Sequence, residues 1–259
     1  MLKRLCKSLY LKYMVCFSLC VGVLYAPFYT IRRSLIGTDD SFNQEFPLFI
    51  YIGRYIRNLL KGTVWQFDFR IGLGDDVIAA LNWHGFGDIF QTVGALFHTS
   101  HMEYAYALVM VLKFFCCGIA FLIFSRRYLH RDYARLSGAL IYAFSIYGIQ
   151  KGLDFWVFLN PMITFPLIIC GIDDIRENKG RISWPLITGL VIQALSGFYF
   201  LYMEVIMAVG YFLIVQLADE EGSFKERFTK LWKDGLAILV QAVPGVGLGA
   251  VMLLPAVIG

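Results

Sequence analysis

The sequence predicts an all-α integral membrane protein, a multi-span helical bundle with a structured extracytoplasmic loop that carries juxtamembrane helices. Three observations lead there. Of 259 residues, 58% are hydrophobic and only 16% charged, whereas a soluble domain carries roughly a quarter charged residues to face water. Apolar runs close to bilayer-spanning length recur along the chain. The basic residues sit in short clusters at the ends of those runs, where a membrane protein keeps them. The net charge of +4 therefore forms no continuous basic patch, which argues against a nucleic-acid partner. All six cysteines (Cys6, Cys16, Cys20, Cys116, Cys117 and Cys170) fall in apolar segments or the N-terminal tail, so no disulfide framework is visible.

The first run covers residues 9–30, close to the roughly 20 residues that cross a bilayer. It is too long for the apolar core of a signal peptide and has no small-x-small cleavage site before Pro27, so it reads as a retained anchor. Further runs lie at 104–125, 136–149, 160–172, 182–196, 198–217 and 235–259, with an ill-defined boundary at Gly197. Six or seven spans in one transmembrane module, 1–259, are expected. Orientation follows from charge. The tail holds Lys3, Arg4, Lys7 and Lys12 without an acid, and a later loop on the same side holds Arg126, Arg127, Arg131 and Arg135 against Asp132. Arg176, Lys179 and Arg181, then Lys225, Arg227, Lys230 and Lys233, continue the pattern, while the loop after the third span carries Lys151. Lys and Arg resist translocation, so a multi-pass protein with a cytoplasmic N-terminus is expected.

That orientation places residues 31–103 outside as one long loop, holding Asp39, Asp40, Glu45, Asp68, Asp75, Asp76, Asp88 and Glu103. A loop of this length in a compact protein is usually structured or functional. Within 46–61, Phe49, Ile52, Ile56, Leu59 and Leu60 share one helical face, with Arg54, Arg57, Asn58 and Lys61 opposite. Ser41 and Gln44 have capping-box spacing, and Gly62 is placed to stop the helix. Such a helix is expected to lie along the outer leaflet. A second short helix is expected at 89–97, N-capped by Asp88. Between them, Ile71-Gly72-Leu73-Gly74-Asp75-Asp76 lacks the third glycine and preceding strand of a dinucleotide fingerprint. It reads either as a solvated turn or as one presenting acids to a ligand or divalent ion.

Several of these segments resemble a known family. Gly37-Thr38-Asp39-Asp40-Ser41-Phe42-Asn43-Gln44-Glu45-Phe46-Pro47 is similar to the opening of the outer loop in YfhO-type bacterial membrane proteins. There an Asp is followed four residues later by Gln and then by Pro. Gly72-Leu73-Gly74-Asp75-Asp76 resembles that family's Gly-Leu-Gly-x-Asp turn, and Gly87-Asp88-Ile89-Phe90 its next acidic turn. The stretches 140–147, 158–163 (with Asn160) and 196–203 resemble its third span, fourth span and aromatic Tyr-Phe-x-Tyr-Met segment. Glu45 and Asp75 depart from the pattern, standing where the family has an aromatic and a small residue. The resemblance implies the GT-C architecture, with this chain the N-terminal portion of a longer one. It further implies transfer of a sugar from a polyprenyl-phosphate carrier to a teichoic-acid-like acceptor, chiefly lipoteichoic acid, at the outside of a bacterial cell membrane.

Such chemistry needs a base for the acceptor hydroxyl and positive charge near the leaving phosphate. Asp40, just past the first span, is the first candidate base and Asp39 the second; Asp40 also suits a helix-capping acid. Arg54, Arg57, Arg70, Lys151 and Asn160 are candidates for donor-phosphate or acceptor contact, Arg offering two-pronged bonding. The two arginines of 46–61 equally suit a headgroup-facing surface. Asp76 and Asp88 are candidates for acceptor or divalent-cation binding. Trp65, Phe67, Phe69, Trp83, Tyr104, Trp156 and Phe158 read as an interfacial aromatic belt or as sugar-stacking rings. His84, His98 and His101 lack zinc-ligand spacing. Lys113 and Glu204, polar within apolar runs, keep open a lipid or polymer transporter or flippase component, the chief alternative beside a non-catalytic scaffold.

Overall fold

The computed structural model describes residues 8–63, 65–177, 181–218 and 224–258. Lys3, Arg4, Cys6, Lys7 and Lys179, weighed above, lie outside the described residues. The rest form the all-α membrane protein that composition predicts. In chain order the helices are α1 (Leu9–Thr30), α2 (Phe46–Leu60), α3 (Val77–Leu81), α4 (Thr92–Leu96), α5 (Met102–Ser125) and α6 (Asp132–Ala143). There follow α7 (Ile146–Asp154), α8 (Asn160–Glu177), α9 (Trp184–Ser196), α10 (Phe198–Ala218), α11 (Phe224–Leu248) and α12 (Ala250–Ile258). A two-stranded hairpin, β1 (Phe67–Asp68) with β2 (Asp75–Asp76), precedes α3. Among the described residues, four helical stretches have the length and apolar composition to cross a bilayer: Leu9–Thr30, Thr99–Ser125, Trp156–Glu177 and Phe198–Ala218. Lys225–Leu248 and Ala250–Ile258 offer a fifth path, bent by 79°.

Packing divides the chain into two compact units, Met1–Trp65 with Ile89–Ile163, and Gln66–Asp88 with Thr164–Gly259. In the first, α1 buries Leu9, Tyr13 and Phe17 at four-residue spacing and leaves apolar Leu19 and Val23 exposed, as suits a helix with lipid on one side. Tyr13 donates its hydroxyl to the Phe115 carbonyl at 3.1 Å. Its ring lies over Gly118 of α5, where any Cβ would collide with the Tyr13 oxygen and ring. Phe17, Phe115 and Phe144 complete this aromatic contact.

The α2 helix matches its predicted range, but only Phe49 and Ile52 of its predicted face are buried, and its setting differs. Phe49, Ile52 and Tyr55 are buried, whereas Leu59 and Leu60 are exposed and Ile56 only half-buried. The face turns because the helix packs against α4 and α5 of its own unit: a Cβ on Gly53 would stand 3.0 Å from the Gly94 carbonyl. The helix is thus seated on protein, not only on a leaflet. Its end is a Schellman motif, with Gly62 at φ +77° and bonds Gly62 N–H to Leu59 O and Thr63 N–H to Asn58 O, the stop expected of Gly62. Its start differs from the expected capping box. A π-helical turn, Ser41–Glu45, leads into α2, and Ser41 Oγ instead accepts from Gly37 N–H at 3.1 Å and meets Tyr106 Oη at 3.3 Å. Ile52→Asp is therefore expected to cost more than about 3 kcal/mol, a buried charge without a partner, and Leu60→Asp little. Thermal unfolding in detergent measures both; equal losses would restore the face predicted from sequence.

Two further segments differ from expectation. The run at 136–149 is carried by two helices, because Ser145 breaks from α6 and caps α7, its Oγ accepting from Gly148 N–H at 3.2 Å. The helix expected at 89–97 is a 3₁₀ turn, Ile89–Gln91, continued by α4.

In the second unit, α9 packs against α11 and α12. Ile168, Ile172, Leu186, Leu190 and Ala194 form its core, and Gly249 lets the α11–α12 corner touch Ala194. The boundary near Gly197 is real: at φ +152° this glycine separates α9 from α10. Asn82 holds the corner, accepting from Phe198 N–H at 3.0 Å and donating to Met252 O at 2.9 Å.

Candidate functional site

The carboxylates of the 31–103 segment fall into two groups: those the protein uses itself and those it leaves open. Asp76 belongs to the first. It N-caps α3, its Oδ1 accepting from Ile78 N–H at 2.9 Å and Ala79 N–H at 2.8 Å. Asp75 Oδ1 accepts from the Asp76 amide at 2.8 Å. Asp68 is gripped by Arg70, with Nη2 to Oδ2 at 2.7 Å and Nε 3.0 Å from both oxygens. These bonds close the hairpin turn, which Gly72 (φ +59°) and Gly74 (φ +114°) make possible. Asp88 is buried at 1% exposure, with its amide bonded to Gly85 O. Among the described residues no group of three or more His, Cys, Asp and Glu is arranged to hold a metal ion.

Asp39 and Asp40 belong to the second group. Both are exposed, and neither carboxylate makes a hydrogen bond or ion pair among the described residues. Asp40 occupies the N-cap position of the π-turn, yet its side chain caps nothing. The Asp39 carbonyl, in contrast, accepts from Phe42 and Asn43 N–H. The segment is held from below: Gly37 lies against the Leu153 carbonyl, where a Cβ would approach to 3.3 Å, and Ser41 meets Tyr106. The turn that follows Asp40 therefore packs on α7, which carries exposed Lys151 and half-buried Asp154. The structure brings Asp39, Asp40 and Lys151 onto neighbouring segments of one unit.

The basic candidates separate in the same way. Arg54 is exposed and forms no bond or ion pair among the described residues. Arg57 is committed to structure, its Nη1 donating to Gly94 O at 3.1 Å and Phe97 O at 2.7 Å and so closing the C-terminal end of α4. Arg70 serves Asp68. Asn160 is buried, and its Oδ1 accepts from Lys113 Nζ at 2.6 Å. Lys113 also donates to Trp156 O at 3.2 Å and lies 4.9 Å from the Trp156 ring. This pair ties α5 to the start of α8 within one unit; neither side chain reaches solvent. Glu204 is likewise buried and paired, accepting from Thr164 Oγ1 at 2.6 Å in the second unit.

Sequence reasoning missed three charged residues. Asp154 ends α7, and Arg32 with Arg33 follows α1 immediately. The signal for the arginines was present: two bases stand directly past an apolar run.

No match to the chain was found among curated proteins or among solved structures. The family model described as bacterial membrane protein YfhO matches residues 14–259.

Proposed function

We propose that this chain, which belongs to the YfhO family of bacterial membrane proteins, serves a membrane glycosyltransferase of the GT-C kind. In this reading, a sugar passes from a polyprenyl-phosphate donor to a cell-envelope acceptor such as lipoteichoic acid on the outer face. The observation that carries it is the pair Asp39–Asp40, two exposed carboxylates that bond to no protein group among the described residues, on a segment just past a membrane-spanning helix. A carboxylate used for capping or pairing is already committed, and these two are not.

The reaction assigns one role to each free group. Asp40 takes the proton from the acceptor hydroxyl as its oxygen attacks the anomeric carbon. The bond from that carbon to the phosphate oxygen breaks, and the phosphate departs on its lipid. Lys151 and Arg54 are exposed bases that can add to the positive charge facing the developing phosphate. The roles first considered for Arg57, Arg70, Asp76 and Asn160 recede, because each already satisfies a protein group.

This reading requires the N-terminus inside. A cysteine placed near Thr63 in a cysteine-free protein is expected to react with an impermeant maleimide in intact cells, and one near Arg131 is not. Labelling in the reverse order would sink the orientation. The function itself is tested by sugar analysis of teichoic acid from cells with and without the gene: a missing glycosyl substituent is expected, and an unchanged polymer would contradict the proposal.

A further inference from the structure

Where α1 ends, the backbone does something unusual. Arg33 N–H bonds Phe28 O at 2.8 Å and Arg32 N–H bonds Tyr29 O at 3.1 Å, the two bonds of a Schellman motif. The left-handed position of that motif normally belongs to glycine, but here it is Arg32, at φ +53°. The same chain places Gly62 in the equivalent position of α2. Sequence economy therefore does not explain an arginine at a position where a Cβ is disfavoured.

The side chains explain it better. A cavity of about 770 Å³ opens beside α1 and α5, lined by the rings of Tyr25, Phe28 and Tyr104 and by Arg32 and Arg33. Neither guanidinium has a hydrogen bond or ion pair among the described residues. Glu103, in the first turn of α5, is the acid that also lines the cavity. In the orientation proposed above, both arginines stand on the translocated side, directly at a span end, against the usual distribution of basic residues.

We infer that this cavity is the lipid-phosphate site of the protein: Arg32 and Arg33 hold a phosphate, and the aromatic wall takes the first part of an isoprenoid chain. A guanidinium pair matches a phosphate in charge and in two-pronged geometry. An apolar wall continuous with an interfacial helix end suits a chain that enters from the bilayer. The isoprenoid assignment rests on the glycosyltransferase reading; the phosphate assignment rests on the cavity itself.

The test is direct binding of a long-chain isoprenyl phosphate to the purified complete protein in detergent, with phosphatidic acid and inorganic phosphate as separate arms. Arg32→Gly and Arg33→Gln are each expected to weaken isoprenyl phosphate binding by about tenfold or more. Arg32→Gly should meanwhile melt at the same temperature as the unsubstituted protein or higher, because glycine fits the left-handed position. That combination separates a ligand role from a structural one. Unchanged binding in both variants would overturn the site, and if sugar transfer persisted in the unsubstituted protein the functional reading would survive that failure. Equal binding of phosphatidic acid and isoprenyl phosphate would overturn the isoprenoid assignment. Arginine-dependent binding of isoprenyl phosphate in a protein that transfers no sugar would support the site while contradicting the function.

Discussion

Asp40→Asn is expected to lower sugar transfer by about a hundredfold or more, the usual worth of a positioned proton acceptor, while the protein remains folded and inserted. Asparagine keeps the size of the side chain and can still accept a hydrogen bond, but it does not take up a proton at neutral pH. Stability should be unaffected for a specific reason: the Asp40 carboxylate caps no helix and pairs with no base among the described residues. Asp39→Asn should reduce transfer less. Asp76→Asn separates the two kinds of acid, since its loss would weaken the start of α3, where two amides depend on it. Its effect should appear in unfolding before it appears in rate. A correctly inserted Asp40→Asn protein with normal transfer would remove Asp40 from the mechanism.

Gly118→Leu is expected to abolish the seat of α1 on α5. The Cβ alone would overlap the Tyr13 hydroxyl and ring, and Tyr13 is fully buried with its hydroxyl committed to Phe115 O. Helix association inside a membrane depends on close packing of small residues, because lipid tails are as apolar as leucine. Overpacking a tight contact costs about 1–3 kcal/mol and sometimes more, and moving α1 away from α5 would also part the Phe17 and Phe115 rings, whose centroids lie 5.3 Å apart. Gly22→Leu is the control, for a Cβ there meets nothing within 4 Å. Size-exclusion profiles and melting temperatures in detergent should show a large loss for Gly118→Leu and none for Gly22→Leu. Equal behaviour of the two would contradict the α1–α5 contact. Tyr13→Phe should fall between them, losing one hydrogen bond worth about 1 kcal/mol.

Much of the architecture was legible in the sequence because apolar length and the placement of glycine are local signals. Residues 9–30, 104–125 and 198–217 lie on α1, α5 and α10 almost residue for residue. Gly62 and Gly197 mark helix ends through backbone conformations that few other residues adopt. The face of α2 was legible only in its first half. From Phe49 and Ile52, helical periodicity permits a stripe that continues through Ile56 and Leu60 as readily as one through Tyr55, and the approach of Gly94 to Gly53 decides between them. The division of 136–149 was hidden for a related reason: Ser145 is an ordinary residue inside an apolar run until the chain turns and its hydroxyl becomes a cap.

The candidate site was legible in its acids and less so in its bases. Asp39 and Asp40 stand beside a span end in the sequence and remain open in the structure. Arg54 and Arg57 look equivalent in sequence, yet one is exposed and the other closes α4. Asn160 gave no warning that a lysine 47 positions earlier would reach it. Arg32 and Arg33 were visible as letters, but the cavity beside them depends on how α1 and α5 stand together.

Transfer of labelled sugar from an isoprenyl-phosphate donor to lipoteichoic acid, measured with the complete purified protein in proteoliposomes, tests the central claim most directly. The account predicts transfer by the unsubstituted protein and its near-complete loss in Asp40→Asn at equal amounts of inserted protein. Undiminished transfer in Asp40→Asn, or no transfer by the unsubstituted protein with any envelope acceptor, would contradict it.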